Sequence, residues 1–350
     1  MLWEILPNLS RFRRPLPKLV VEQRDGTKDR AALFPAPCKR ASQPAPSRPA
    51  SVSAAPPVSP GALSRPGSGA CDDATVATKK PSVQCSTGPF WGFELERAMD
   101  YLAEAGFREI EIMVTRDPRT HDPETWGRLA AERDLRIASV HGPFLVISKT
   151  VWGANPIGKI TRGIEMCRTL GADSYIVHPP YLWERAYSRW LKVEAPAVED
   201  ESGVIVAVET MYPKWMAGRR MRGYRWLDPG ALAHAAHHVA LDTSHLSVAR
   251  HDILDSLQVL LPKLVHVHLS DNAGDGRDGH LPLEQGVLEI DRFLAELGRS
   301  DYAGAVSLEL SVRRYLERPK ELVKMLRRNR EYTEEKLVAK SRVRKGLPRR

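Results

Sequence analysis

The chain has 350 residues, of which 42 % are hydrophobic, with a mean hydropathy of −0.35 and a formal net charge of +9. No apolar run approaches the roughly 18 residues of a membrane-spanning helix, and four cysteines are too few for a disulfide framework in a chain this long. The composition therefore excludes a membrane-spanning or disulfide-stapled protein and indicates a globular protein of the reducing cytoplasm.

The positive charge lies at the two ends of the chain. Residues 1–80 hold 13 basic and 6 acidic residues, and residues 336–350 hold 7 basic residues and no acidic one. The body between them holds 32 basic and 37 acidic residues, a net charge of −5. The overall charge is therefore no evidence that the body binds nucleic acid. The end of the chain, residues 339–350, is predicted to be a mobile basic tail.

Residues 1–80 are predicted to form a disordered extension. They contain 12 of the 27 prolines and none of the 11 histidines, and residues 34–70 show no hydrophobic periodicity. Such a segment cannot bury enough apolar surface to offset the entropy lost on ordering. Its start lacks the apolar centre of a signal peptide. An over-extended gene start is one hypothesis, which N-terminal sequencing of the native protein would test.

From residue 81 onward, predicted strands alternate with predicted helices. Apolar runs and alternating patterns predict eight strands, at residues 82–86, 108–114, 135–141, 173–178, 204–209, 238–242, 264–268 and 305–310. Helical periodicity predicts eight helices, at residues 93–105, 123–133, 156–170, 183–201, 229–237, 252–261, 290–298 and 319–338. An Arg-rich loop is predicted at residues 218–225.

This alternation predicts parallel β/α units. Eight units in residues 81–338 have the size of a (β/α)8 TIM barrel, which is the predicted fold. A doubly wound open sheet is the alternative. It would normally carry a Gly-x-Gly-x-x-Gly turn after the first strand, and STGPFWG does not match that pattern.

Six of the predicted strands end in side chains that can bind a metal ion. The nine candidates are His141, His178, Glu209, Asp242, His245, His268, Asp278, His280 and Glu309. In a parallel barrel the carboxyl ends of all strands open on one face. Singly, a histidine can be a hydrogen-bonded core residue, and Asp242 can cap the next segment. Glu209 and Glu309, however, end apolar runs in which an unpaired carboxylate is energetically costly. Together the nine predict a divalent-metal site.

The motifs resemble those of the xylose isomerase-like TIM barrels, a superfamily that joins sugar isomerases and epimerases to endonuclease IV. The resemblance covers residues 82–338 and is carried by HGPF, VHPP, AVET, LDTSHL, HVHLSD, RDGHLPLEQG and SLEL. It implies a divalent metal ion (Zn²⁺, Mn²⁺ or Mg²⁺) held by Glu209, Asp242, His268 and Glu309. It also implies that the two glutamates exchange a proton with the substrate through an enediolate held by the metal, and that His245 contacts the substrate.

The endonuclease IV branch implies an alternative activity. There, a three-zinc cluster attacks a DNA phosphodiester, and its further ligands match His141, His178, His245, Asp278 and His280. A DNA enzyme is expected to carry basic, aromatic-bearing loops around the mouth, and residues 214–225 are the one segment that fits.

The same loops can instead recognise a sugar or remain solvated. Two or three arginines suffice to hold a sugar phosphate. The candidates are Arg219, Arg220 and Arg222. Trp91 and Phe144 fall on predicted mouth loops and are candidates to stack on a sugar ring.

The sequence thus predicts a metal-dependent isomerase or epimerase of a small sugar or sugar phosphate, with Glu209 and Glu309 as the catalytic pair. The alternatives are a trinuclear-zinc phosphodiesterase acting on abasic DNA, and a barrel that binds metal and ligand without catalysis. The expected partner is a small-molecule substrate, and nucleic acid is a partner only of the phosphodiesterase. No membrane partner is expected, and a homo-oligomer is left open.

Overall fold

The computed structural model describes residues 80–143, 151–216 and 219–338, and for residues 214–216 and 219–220 it describes the backbone alone. The predicted extension, apart from its last residue, and the predicted basic tail lie outside these ranges, and so does Phe144. Within them, the chain forms one closed barrel of strands with helices between them.

Ten strands lie in the described part of the chain, eight in the barrel and two in a hairpin. They are β1 (Ser82–Ser86), β2 (Glu109–Met113), β3 (Arg136–His141), β4 (Ser174–Val177), β5 (Ile205–Glu209), β6 (Lys214–Met216), β7 (Arg219–Met221), β8 (His238–Asp242), β9 (Leu264–Leu269) and β10 (Ala305–Leu308). The barrel order is β1-β10-β9-β8-β5-β4-β3-β2, and all its pairs are parallel. The predicted (β/α)8 barrel is confirmed, with each strand placed to within two residues.

Nine of the ten helices described lie between strands in the chain, and the tenth follows the last strand. In chain order they are α1 (Leu95–Glu104), α2 (Pro123–Ala131), α3 (Pro156–Leu170), α4 (Arg185–Val193), α5 (Ala195–Ser202), α6 (Pro229–Ala235), α7 (Thr243–Ala249), α8 (Ile253–Leu260), α9 (Ile290–Leu297) and α10 (Pro319–Val338). Three of them start at a proline directly after a side chain that caps the helix, Asp122, Asn155 or Asp228. Of the helices described, none is long and apolar enough to cross a membrane.

Three local predictions were wrong. The single helix expected at residues 183–201 is two helices, α4 and α5, because Pro196 lies in the first turn of α5 and has no N–H with which to continue the preceding helix. The Arg-rich loop expected at residues 218–225 contains strand β7, which pairs antiparallel with β6 just before it. Helix α7 was not predicted. It follows β8 directly, and its first turn is capped by Asp242, whose Oδ1 accepts a hydrogen bond from the backbone N–H of His245 at 2.8 Å.

Strand alternation separates an apolar shell from a polar barrel interior. On β2, Ile110 and Ile112 belong to the main hydrophobic core, whereas Glu111 between them is buried among polar side chains. On β9, Val267 belongs to the same core, and His268 contacts Glu111. Since successive side chains of a strand point to opposite faces, the barrel interior receives the polar set.

The buried ring of Tyr175 has room only because two neighbouring residues are glycines. Tyr175 lies on β4 and is 1 % exposed. A Cβ atom at Gly163 in α3 would overlap its ring, and one at Gly142 would lie 2.9 Å from Tyr175 Cζ. Absence of a side chain at these two positions therefore lets helix α3 and the end of β3 close around the tyrosine.

We expect Gly163→Ala to destabilise the barrel by about 1–3 kcal/mol, because the new methyl group forces the buried Tyr175 ring out of place. Gly127→Ala in α2 is the matched control. A Cβ there would meet its nearest atom, Leu170 Cδ2, at an ordinary 3.7 Å, and alanine should stabilise the helix by about 0.5–1 kcal/mol. Urea unfolding of the two variants measures both effects, and equal shifts of the same sign would contradict this account.

Candidate metal centre

The nine side chains predicted from the strand ends come together. Each lies within 4 Å of another member, and Glu209 is the hub. Its carboxylate is 2.6 Å from His268 Nδ1, 3.1 Å from His178 Nε2 and 3.6 Å from His141 Nε2. The predicted convergence is therefore seen in the structure.

The centre of the cluster is a group of four possible ligands. Glu209, Asp242, His268 and Glu309 each offer one donor atom, and these atoms lie within 4.8 Å of one another. The register of the sheet produces the proximity, since Asp242 pairs with His268 across β8 and β9. Glu309 follows β10, and its side chain is 14 % exposed against 1 % for Glu209. Glu309 is therefore the carboxylate that solvent reaches.

A second group of possible ligands adjoins the first through Asp242. Asp242, His245 and His280 offer donor atoms within 4.8 Å of one another. Asp278 lies 3.0 Å from His280 and 3.4 Å from His245. His280 has a φ of +44°, in the left-handed region that residues other than glycine rarely adopt. Such strain persists where the surroundings hold it, commonly at functional sites.

Two further side chains hold Asp278, and a third supports one of them. Ser244 donates a hydrogen bond to its Oδ1 at 2.8 Å, and the Tyr212 hydroxyl donates one to its Oδ2 at 3.1 Å. Asn272 in turn donates to Ser244 Oγ at 2.9 Å. The sequence analysis did not identify this support, because none of the three residues ends a strand with a charged side chain.

The charges of the cluster depend on one another. Burial opposes ionisation of Glu209, but His245 and His268 outweigh it and hold the pKa of this carboxyl well below its usual range. Burial, opposed only in part by His245 and His280, raises the pKa of Asp242 to about 6. Burial also opposes protonation of His268, yet Glu111 and Glu209 raise its pKa well above the usual value. Binding of a metal ion to these residues would therefore release protons.

The residues present fit a divalent metal ion. Glu209 Oε2 and Asp242 Oδ2 are buried and have no aligned hydrogen-bond donor in the described part of the chain. A buried carboxylate oxygen without a donor is costly unless a cation coordinates it. Imidazole nitrogens and carboxylate oxygens together are typical ligands of Zn²⁺ and related ions. The donor set and its orphaned oxygens thus agree with the predicted metal centre.

Two buried residues beneath the centre were not predicted. Glu111 accepts a hydrogen bond from His268 Nε2 at 3.1 Å, and His266 Nε2 lies 2.8 Å from the same oxygen. All three side chains are fully buried. Glu111 thereby leaves Nδ1 of His268 directed at Glu209, the arrangement in which a carboxylate orients a metal-binding histidine. The sequence signal that could have identified Glu111 is the alternation of β2, which places it on the opposite face from Ile110 and Ile112.

The residues predicted to bind substrate stand outside this cluster, except His245. Its Nδ1 lies 2.8 Å from the carbonyl oxygen of Thr210. Trp91 and Arg222 are exposed, and only the backbone of Arg219 and Arg220 is described. Their roles in substrate binding stay predictions.

A family model described as a xylose isomerase-like TIM barrel matches residues 99–332. An uncharacterized protein of Mycobacterium leprae is 33 % identical over 274 residues, which cover 71 % of this chain and 97 % of that protein. An uncharacterized protein of Mycobacterium tuberculosis is 34 % identical over 65 % of this chain and 88 % of its own length. A probable endonuclease 4 of Mycoplasma pneumoniae is 26 % identical, over 45 % of this chain and 63 % of its own length.

Solved structures share the fold at low sequence identity. A D-tagatose 3-epimerase-like protein is 22 % identical with a TM-score of 0.54, over 73 % of this chain and all of its own. An L-ribulose 3-epimerase is 17 % identical with a TM-score of 0.56, over 77 % of this chain and all of its own. At these identities the likeness concerns the fold alone.

We expect Glu111→Gln to weaken metal binding about tenfold to a hundredfold, because the amide no longer holds His268 through a charged acceptor. Affinity for Zn²⁺ can be measured on stripped protein by competition with a chromophoric chelator. Glu109→Gln is the matched control on the same strand, since Glu109 pairs with Arg136 at the surface. Unchanged affinity in folded Glu111→Gln would show that Glu111 does not position His268.

Proposed function

Since the chain belongs to the xylose isomerase-like TIM barrel family, we propose that it is a metal-dependent isomerase or epimerase of a small sugar or sugar phosphate. The observation that supports this proposal most is that two carboxylates, those of Glu209 and Glu309, lie close to the same histidine. Their oxygens lie 2.6 Å and 3.5 Å from Nδ1 of His268.

In the proposed mechanism the two glutamates move a proton on two sides of the substrate. Glu209 ends β5 and Glu309 follows β10, and these two strands are separated in the barrel by β8 and β9, so the two carboxylates approach His268 from different strands. In the proposed reaction one carboxylate removes the proton from the carbon beside the carbonyl, and the other returns a proton to the substrate. Glu309 is the more accessible, and the low pKa of Glu209 keeps that carboxylate ionised.

The metal ion would be held by Glu209, Asp242, His268 and Glu309, and it would supply a Lewis acid that polarises the oxygens next to the reacting carbon. The chain itself orients these ligands. Glu111 supports His268 from below, and the backbone N–H of His245 donates to Oδ1 of Asp242, whereas Oδ2 has no hydrogen-bond donor among the described residues.

A second candidate is a phosphodiesterase that acts on abasic DNA. The observation in its favour is the adjoining group of Asp242, His245 and His280 with Asp278, which a four-ligand centre does not need. Together with His141 and His178 beside Glu209, it could hold further metal ions. The similarity to a probable endonuclease 4 agrees with this candidate.

We expect Glu209→Gln and Glu309→Gln each to lower turnover by at least about a hundredfold, because each removes a carboxylate that carries a proton. The measurement is exchange of the substrate C–H in D₂O, followed by NMR over a panel of ketoses and their phosphates. Glu284→Gln is the control, as this exposed glutamate pairs with Arg328 outside the cluster.

Two outcomes would contradict the isomerase. Full exchange activity in both glutamine variants would exclude the proposed proton transfer. Incision of abasic-site DNA by the wild type, lost in His280→Asn, together with no exchange on any sugar, would establish the phosphodiesterase instead.

A further inference from the structure

A basic cavity lies between helix α4 and the chain segment that follows the hairpin. It is shallow and open to solvent, and its volume is about 350 Å³. It is lined by Arg185, Ser188, Arg189, Lys192, Val193 and Arg225. Four cationic side chains thus surround one cavity in a body that is acidic overall. None of its lining residues belongs to the metal centre.

The cations are gathered by one face of α4. Arg185, Arg189 and Lys192 are spaced by four and three residues, so they lie on the same side of the helix. Tyr187 and Trp190 are buried on the other side. Among the described residues, no carboxylate lies within ion-pair distance of the cavity's four cations. Lys192 lies over the ring of Trp226, 5.5 Å from its centroid, and no carboxylate of the described ranges neutralises the cationic face toward an anion.

Arg225 lines the cavity from the chain segment that follows the hairpin. Its backbone N–H donates to the carbonyl of Pro180 at 2.8 Å, and its guanidinium donates to the carbonyl of Leu182. Its Nε is buried and has no hydrogen-bond acceptor among the described residues. A buried donor without an acceptor is costly, and a ligand oxygen would satisfy it.

An aromatic stack leads from this wall to the metal centre. Trp183, 66 % exposed, stacks on Tyr181 at 4.8 Å between ring centroids and 10° between planes. Tyr181 stacks on Tyr224 at 4.4 Å, and the ring of Tyr224 lies 6.1 Å from that of His178. The outer face of Trp183 is thus an exposed planar surface, and the backbone N–H of Arg185 bonds to its carbonyl oxygen at 3.0 Å.

We propose that this cavity binds the phosphate groups of a nucleotide unit whose base stacks on Trp183. Guanidinium groups hold phosphate oxygens in pairs, and an exposed tryptophan accepts any base because every base has a π face. A phosphate ester without a ring would have no group to stack on Trp183. The unit can belong to a nucleotide-linked sugar or to a nucleic acid strand. The binding does not depend on which reaction the metal centre performs.

The test is the fluorescence anisotropy of N-methylanthraniloyl-ADP titrated with the metal-loaded protein at low salt. We expect Arg185→Ser/Arg189→Ser to weaken binding at least tenfold and Trp183→Ala to weaken it about fivefold or more. Arg162→Ser/Arg168→Ser, two exposed arginines on α3, is the control and should bind like the wild type. Metal content and far-UV circular dichroism should match the wild type in all variants, which separates this site from the metal centre.

Binding that is absent at millimolar concentration, or equal in the wild type and in Arg185→Ser/Arg189→Ser, would overturn the proposal. Displacement by pyrophosphate as strong as by ADP, with no effect of Trp183→Ala, would overturn the stacking and leave an anion site only. Competition by UDP-glucose and by a single-stranded ten-nucleotide DNA then identifies the source. If one of the two competitors displaces the labelled ADP more strongly than the other, it is the source of the nucleotide unit, and the proposal is supported. If neither displaces the labelled ADP, the proposal is contradicted.

Discussion

The structure depends on carboxylates buried inside the barrel. Glu111, Glu209 and Asp242 are each at most 1 % exposed, and Glu309 adjoins them at the mouth. Buried negative charges persist only when cations or donors face them, and here five histidines do so, namely His141, His178, His245, His266 and His268. The proposed metal ion would be the remaining counter-charge for Glu209 Oε2 and Asp242 Oδ2, which have no aligned hydrogen-bond donor in the described part of the chain.

The barrel supplies this charge cluster through strand geometry. Parallel strands bring every carboxyl end to one face, and alternation along each strand sends one residue in two into the interior. On β9 this places His266 beneath His268, so that Glu111 contacts both. The centre therefore has a supporting layer below it, and a side chain such as Tyr212 supports it from the mouth by holding Asp278. Loss of one layer should loosen the other.

Much of the fold and site could be predicted because the signals are local. Each of the nine ligand candidates ends a strand or follows one closely, and strand ends converge in any parallel barrel. Glu111 and His266 were not predicted, because an alternating strand is also typical of a sheet with one face exposed to solvent. Only closure of the barrel buries that face. The break between α4 and α5 is caused by Pro196, a single residue within a helical pattern. The basic cavity unites segments far apart in the chain, which no single stretch of sequence reveals.

The most direct test of the metal centre is the metal content per chain of gently purified protein, measured by elemental analysis for the wild type and for Asp242→Asn. The account predicts about one or more divalent ions per wild-type chain, with a loss of at least about tenfold in affinity in the variant. Protein that carries no divalent metal, and that takes up none when Zn²⁺, Mn²⁺ or Mg²⁺ is supplied, would contradict it.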